Sequence, residues 1–213
     1  MNSKALIAEF VGTFALIFIG AGAGAIGVGG LVGVALAHGL VLMVMAAAYG
    51  DISGAHINPA VTIGLWAGRQ IKTAAAIGYI VVQLLGGIVG ALVLRFVLGD
   101  AAGGLGATVL GAGVPPLRGL VVEAVLTFFL VNTIYQTAVR GKAGNLAPVA
   151  IGMTLAFAIL MGGPLTGASL NPARTIGPAV ATGNYRDLWV YLVGPALGGL
   201  AAAALYRSGM KRG

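Results

Sequence analysis

Two stretches of the chain decide its architecture: Ile52-Ser53-Gly54-Ala55-His56-Ile57-Asn58-Pro59-Ala60-Val61 and Leu165-Thr166-Gly167-Ala168-Ser169-Leu170-Asn171-Pro172-Ala173-Arg174. They align residue for residue, and each contains Asn-Pro-Ala. Asn is a strong helix N-cap, and Pro is favoured at the first helical position. Each stretch therefore announces the start of a helix. From Pro59 to Gly68 is about ten residues, or roughly 15 Å at helical rise. That is half of a hydrocarbon core of roughly 30 Å.

Around these stretches the chain is strongly apolar. Of 213 residues, 59% are hydrophobic and 8% charged, and mean hydropathy is +1.01. A soluble domain carries about 25% charged residues, so a chain this poor in charge suits lipid rather than water. Six runs are long and apolar enough to cross a bilayer, at about 5–27, 31–50, 74–98, 119–139, 147–163 and 187–207. Asp51–Arg69 and Pro164–Gly183 are too short to cross and read as fold-backs. Broken helices at membrane depth are tolerated where they pack within protein or line a cavity. The expected fold is an all-α membrane protein with six transmembrane helices and two re-entrant half-helices.

The likeness of the halves extends further. Glu9 and Thr13-Phe14 match Glu123 and Thr127-Phe128, and Gly86-Gly87 matches Gly198-Gly199. With the Asn-Pro-Ala boxes, these anchors fall at nearly one offset. The chain is expected to be a single domain, 1–213, of two repeats at about 1–108 and 109–213. Each repeat holds three spans, an odd number, so the second copy is inverted. Such repeats commonly place a permeation site at the midplane.

Positive residues favour the cytoplasmic side. With the N-terminus inside, Lys4, Arg69, Lys72, Arg140, Lys142, Arg207, Lys211 and Arg212 lie inside. Arg95, Arg118 and Arg186 lie outside, and Arg174 lies in a fold-back. Both termini are thus expected in the cytoplasm. The net charge of +7 reads as this orientation signal and not as a nucleic-acid surface. The compact termini, with no targeting segment visible, suggest a prokaryotic cytoplasmic membrane.

Two half-helices entering from opposite faces would bring their N-termini together, each carrying about half a positive charge. That pair repels cations, hydronium included. Each Asn is expected to cap its helix through its side-chain oxygen and turn its NH₂ donors to the lumen. A water held by Asn58 and Asn171 would donate only outward, which breaks a proton wire while water passes in file. Asn58, Pro59, Ala60, Asn171, Pro172 and Ala173 are the expected pore boxes.

Ser53–Thr62, Gly167–Arg174 and the Glu near the start of the first and fourth spans resemble the aquaporin and aquaglyceroporin superfamily, also called the major intrinsic proteins. The resemblance covers essentially the whole chain. It implies an hourglass pore in each protomer, a homotetramer in the lipid bilayer, and passive conduction with no cofactor. It also implies a selectivity filter of His38, Ile159, Ala168 and Arg174. That quartet departs from both the usual water-selective and the usual glycerol patterns, and is similar to some plant vacuolar-membrane aquaporins. Thr175, Ala179 and Tyr191 match water channels, whereas Leu192 stands where they carry Trp.

The expected function is a water channel that excludes protons and ions, with some passage of ammonia or other small neutral solutes. The alternatives are a facilitator mainly for glycerol, urea or ammonia, and a low-flux membrane scaffold or junction protein. Glu9 and Glu123 are expected to accept hydrogen bonds from the irregular fold-back backbone, and His56 to brace the first fold-back. The GxxxG pairs at Gly20, Gly86 and Gly194 are expected to mark close helix crossings. No metal site, phosphate loop or catalytic triad is present, so an enzyme is not expected.

Overall fold

The computed structural model describes residues 2–99 and 103–209. Lys211 and Arg212, counted above as inside charges, lie outside the described residues. Among the described residues there are six long apolar helices: α1 (Ser3–Ile26), α2 (Gly30–Ser53), α4 (Thr73–Leu98), α5 (Pro116–Val139), α6 (Gly144–Thr166) and α8 (Leu188–Arg207). Two short helices, α3 (Pro59–Ala67) and α7 (Pro172–Thr182), follow α2 and α6. With six crossings, the start of α1 and the end of α8 fall at the same end of the bundle.

Two boundaries differ from expectation for one reason. Asp51–Ser53 belongs to α2, and Pro164–Thr166 to α6, rather than to the fold-backs. Each long helix runs until a glycine takes the left-handed conformation, Gly54 at φ 84° and Gly167 at φ 76°. Glycine reaches that region without the Cβ penalty, and so terminates helices there. The irregular backbone is correspondingly short, Gly54–Ile57 and Gly167–Leu170.

Helix α1 contains a π turn over Leu16–Ala21, and α5 ends in another over Tyr135–Val139. The short helices begin as their sequences dictate. Asn58 is extended, and its side chain accepts from the Ala60 amide; Asn171 accepts from the amides of Ala173 and Arg174. Pro59 and Pro172 occupy the first helical turn, where a missing N–H costs nothing.

The packing crosses between the halves. α1 lies on α4 and α5 on α8, whereas α3 rests on α8, α7 on α4, and α2 pairs with α6. Glycines make these approaches possible. A methyl at Gly39 would lie 2.7 Å from the Gly152 carbonyl oxygen, and one at Gly152 would lie 2.4 Å from that of Gly39. The pairs Gly86–Phe10 and Gly198–Ala124 are related in the same way, with added methyls at 2.5 and 2.2 Å from the facing carbonyl oxygens. Gly20 and Gly24 differ. Gly20 faces the His38 ring, and Gly24 faces a loop glycine, so this pair does not form a backbone crossing.

Large apolar side chains face outward along whole helices. On α4, Val81, Leu85, Val89 and Phe96 are exposed in helical register. In water such a surface would drive aggregation; in lipid it is the expected outer face. Replacing Gly198 by Leu should force α8 off α5. Overpacking of this kind costs about 1–3 kcal/mol or more, so thermal denaturation in detergent should show a lowered midpoint and reduced recovery of folded protein.

Candidate functional site

The two fold-backs meet in the middle of the bundle and line a narrow cavity of about 50 Å³. One wall is apolar, from Leu16, Leu42, Leu65, Leu130, Ile151 and Leu155. The other is polar and formed by backbone and by Asn58, Ser169, Asn171 and Arg174. Toward the termini it opens past His56 into a vestibule of about 700 Å³ that also touches Asp51, Gln70 and Asn145. His38 and Arg174 line it away from that vestibule.

The asparagines are the centre of this arrangement. Asn58 Oδ1 accepts from the Ala60 amide at 2.8 Å, and its Nδ2 donates to the Leu170 carbonyl at 2.8 Å. Asn171 Oδ1 accepts from the Ala173 amide at 2.9 Å, and its Nδ2 donates to the Ile57 carbonyl at 3.0 Å. Each amide therefore spends one N–H on the opposite fold-back, which differs from the expectation that both donors face the lumen. One N–H of each remains for the cavity.

The fold-backs carry backbone strain. Ala55, Ile57, Ala168 and Leu170 have positive φ of 46°, 56°, 46° and 54°. Such conformations cost about 1–3 kcal/mol each and persist only where the surroundings impose them. Here the fully buried carboxylates of Glu9 and Glu123 impose them. Glu9 accepts from the amides of His56 (2.8 Å) and Ile57 (2.6 Å), from the Ser53 hydroxyl and from Gln83 Nε2 (2.7 Å). Glu123 accepts from the amides of Ser169 (2.9 Å) and Leu170 (2.8 Å) and from the Thr166 hydroxyl. The turn ends are held by another matched pair: Tyr79 Oη donates to the Ser53 carbonyl and Tyr191 Oη to that of Thr166, both at 2.9 Å.

His56 is buried against Tyr79, ring edge to face, and its Nδ1 lies 3.1 Å from Thr62 Oγ1. Its repeat partner Ser169 bonds Thr175 Oγ1 at 2.7 Å, and Thr175 bonds Thr108 at 2.7 Å. His38 Nδ1 lies 2.9 Å from the Val34 carbonyl. A carbonyl only accepts, so Nδ1 carries the hydrogen and Nε2 of the neutral ring is an acceptor. Nε2 is buried with no hydrogen-bond partner, as is Arg174 Nε. Arg174 Nη1 donates to the Gly106 carbonyl at 2.6 Å. An acceptor and a cationic donor thus line the same cavity. Ile159 and Ala168 are buried but do not line the cavity. Of the expected quartet, the structure brings only His38 and Arg174 to the cavity itself.

Ser53, Tyr79, Gln83, Thr166, Gly106 and Thr108 were not singled out from sequence as site residues. Ser53–Thr166 and Tyr79–Tyr191 were discoverable, because both fall on the repeat offset. Gln83 was not, since its repeat-related position is Pro195.

A family model, Major intrinsic protein, matches residues 1–206. The probable aquaporin TIP2-2 of Oryza sativa subsp. japonica is 44% identical over 217 residues, covering 96% of this chain and 86% of the relative. Aquaporin TIP1-2 of Zea mays is 45% identical, with 96% and 85% covered. Among solved structures, the aquaglyceroporin from Plasmodium falciparum superposes with a TM-score of 0.89 at 25% identity, over 99% of this chain and 97% of that one.

Proposed function

The chain belongs to the major intrinsic protein family, a multi-pass membrane channel and not an enzyme, and we propose that its main permeant is water, moving passively down osmotic gradients. One observation carries this reading: the meeting of Asn58 and Asn171, each with its oxygen used as a helix cap, one N–H tied across, and one N–H left for the file. A water molecule reaching this level gives its oxygen to these donors. Both its hydrogens then point away along the file. Neighbouring waters on either side are oriented oppositely, and no continuous donor chain runs through for a proton to follow. The N-termini of α3 and α7 add positive potential at the same level, which raises the energy of any cation.

His38 and Arg174 form the polar part of the filter at the far mouth, with Ile159 and Ala168 shaping its apolar side from behind. The acceptor on His38 and the donors on Arg174 replace hydration for a small neutral molecule that both donates and accepts. The aquaporin names of the plant relatives support water, and the chain's unusual quartet leaves room for ammonia or another small neutral solute. Glu9, Glu123 and His56 hold the fold-backs in place. The working unit is a homotetramer with one pore per protomer and both termini in the cytoplasm. That sidedness rests on the distribution of Lys and Arg. The expectation of a prokaryotic cytoplasmic membrane draws no support from the two aquaporins named above, which are plant proteins.

Stopped-flow light scattering on proteoliposomes tests the reading. Rapid shrinkage with a low activation energy, and urea and glycerol entry no faster than in empty liposomes, is the expected result. Rapid glycerol or urea entry with slow water flux would move the chain to the facilitator class. Flux of neither from correctly folded tetramers would favour a scaffold. A second expectation concerns inhibition. The sequence has no Cys, so mercurials at thiol-specific doses should leave water flux unaltered in the same assay.

A further inference from the structure

The outer mouth is braced by an element that lies outside both fold-backs. In α1 the π turn Leu16–Ala21 places Gly20 against the His38 ring and Ala21 against Gly106, whose carbonyl accepts from Arg174. Gly20 faces α2, and a methyl there would lie 2.6 Å from His38 Cδ2 and 2.8 Å from Nε2. The ring is already held on its other side by the Val34 carbonyl, so it fills the space that Gly20 leaves. The next residue, Ala21, presents its carbonyl to the turn Gly103–Gly106. All four residues of that turn are left-handed, with φ of 48°, 59°, 53° and 64°. A methyl on Gly106 would lie 2.1 Å from the Ala21 oxygen, and one on Gly103 would lie 2.3 Å from that of Ala25. Leu105 is fully buried and anchors the turn. The Gly106 carbonyl, seated this way, accepts from Arg174 Nη1 at 2.6 Å.

We propose that the π turn of α1 is the positioning element of the filter, setting His38 through Gly20 and Arg174 through the Gly106 carbonyl that rests on Ala21. The inference rests on the assignment of His38 and Arg174 to the filter. A π turn is less stable than the regular helix around it and is found mostly where packing or function demands it. Here it lets consecutive residues of one helix serve two neighbours, a ring on α2 and a loop at the mouth. Gly20 and Gly106 are then positioning residues. Neither touches the permeant, and each acts through one named side chain.

Double-mutant cycles test this, because a residue that acts through another has no effect once its partner is gone. Gly20→Ala, His38→Ala and the double variant are compared in proteoliposomes for the ratio of urea to water permeability, per folded channel. Gly106→Ala, Arg174→Val and their double variant form the second cycle, read as the ratio of sodium to water permeability. Gly20→Ala should change its ratio several-fold in the native background and not at all beside His38→Ala. Gly106→Ala should raise the sodium ratio alone and add nothing to Arg174→Val. Gly24→Ala, whose methyl would meet only an ordinary contact at 3.6 Å, controls for crowding on α1 and should leave the ratios unchanged. Equal effects of the glycine substitutions in both backgrounds would overturn the proposal. If Gly20→Ala fails to fold, recovery of the fold by adding His38→Ala supports it, and misfolding in both backgrounds counts against it. Unchanged selectivity in His38→Ala and Arg174→Val alone would instead locate the failure in the filter assignment.

Discussion

Arg174→Val channels are expected to leak sodium and protons while retaining fast water flux. The guanidinium is buried, with one N–H on the Gly106 carbonyl, and stands in the proposed filter. A permeating cation must pass this fixed charge. At 4 Å and an effective dielectric of about 20, the repulsion is worth about 4 kcal/mol. Its removal should raise cation conductance on the order of a hundredfold or more. The N-termini of α3 and α7 still oppose cations at the next level, so the variant should remain far more permeable to water than to ions. Sodium efflux from loaded vesicles and dissipation of a pH gradient measure this directly. A native-like ion barrier in a folded Arg174→Val channel would mean that exclusion resides wholly at the asparagines.

Glu9→Ala and Glu123→Ala should cost the fold rather than the selectivity. Glu9 accepts four hydrogen bonds and Glu123 three, all from groups packed within the bundle. A buried donor left unsatisfied costs about 1–3 kcal/mol, and lipid offers no water to replace the carboxylate. Three or four orphaned donors, added to the strain of Ala55, Ile57, Ala168 and Leu170, sum to on the order of 5 kcal/mol or more. That rivals the entire stability of many domains. Little monodisperse protein should be recovered from either variant, and what remains should denature at much lower temperature. Glu→Gln should fall between, because one amide oxygen still accepts while the NH₂ opposes the donors. A native denaturation midpoint in Glu9→Ala would show that something other than this carboxylate imposes the left-handed backbone.

What hydropathy and spacing made legible was decided by strong local chemistry. Six apolar runs gave six helices to within a few residues, because a membrane span has a fixed length and no polar relief. The helix starts at Pro59 and Pro172 followed from Asn-Pro alone. The helix ends were harder. Gly54 and Gly167 terminate α2 and α6, and their positions after an apolar run were the available signal. The π turns left no trace in composition: Leu16-Ile17-Phe18-Ile19-Gly20-Ala21 is as good an α-helical sequence as its neighbours. What the first of them faces is tertiary: Gly20 lies against the His38 ring and Ala21 against Gly106. The second N–H of each asparagine was misplaced for the same reason. A side chain's donors are visible in sequence, but the carbonyl that claims one of them sits in the other half of the chain. Ile159 and Ala168 show the remaining limit, since no sequence pattern separates an apolar wall residue from one packed in the core.

The exchange of hydrogen bonds between Asn58 and Leu170, and between Asn171 and Ile57, also bears on biogenesis. The partners are separated by 112 and 114 residues. Ribosomes add about 5–20 residues per second, so the first half-helix waits roughly 6–23 s for its counterpart to be synthesised. During that interval Asn58 and the Ile57 carbonyl lack their native partners, and α8, the surface on which α3 finally rests, does not yet exist. The N-terminal half therefore emerges as an unfinished lodging for its own re-entrant segment. Closure of the pore therefore waits until α7 and α8 have both been made.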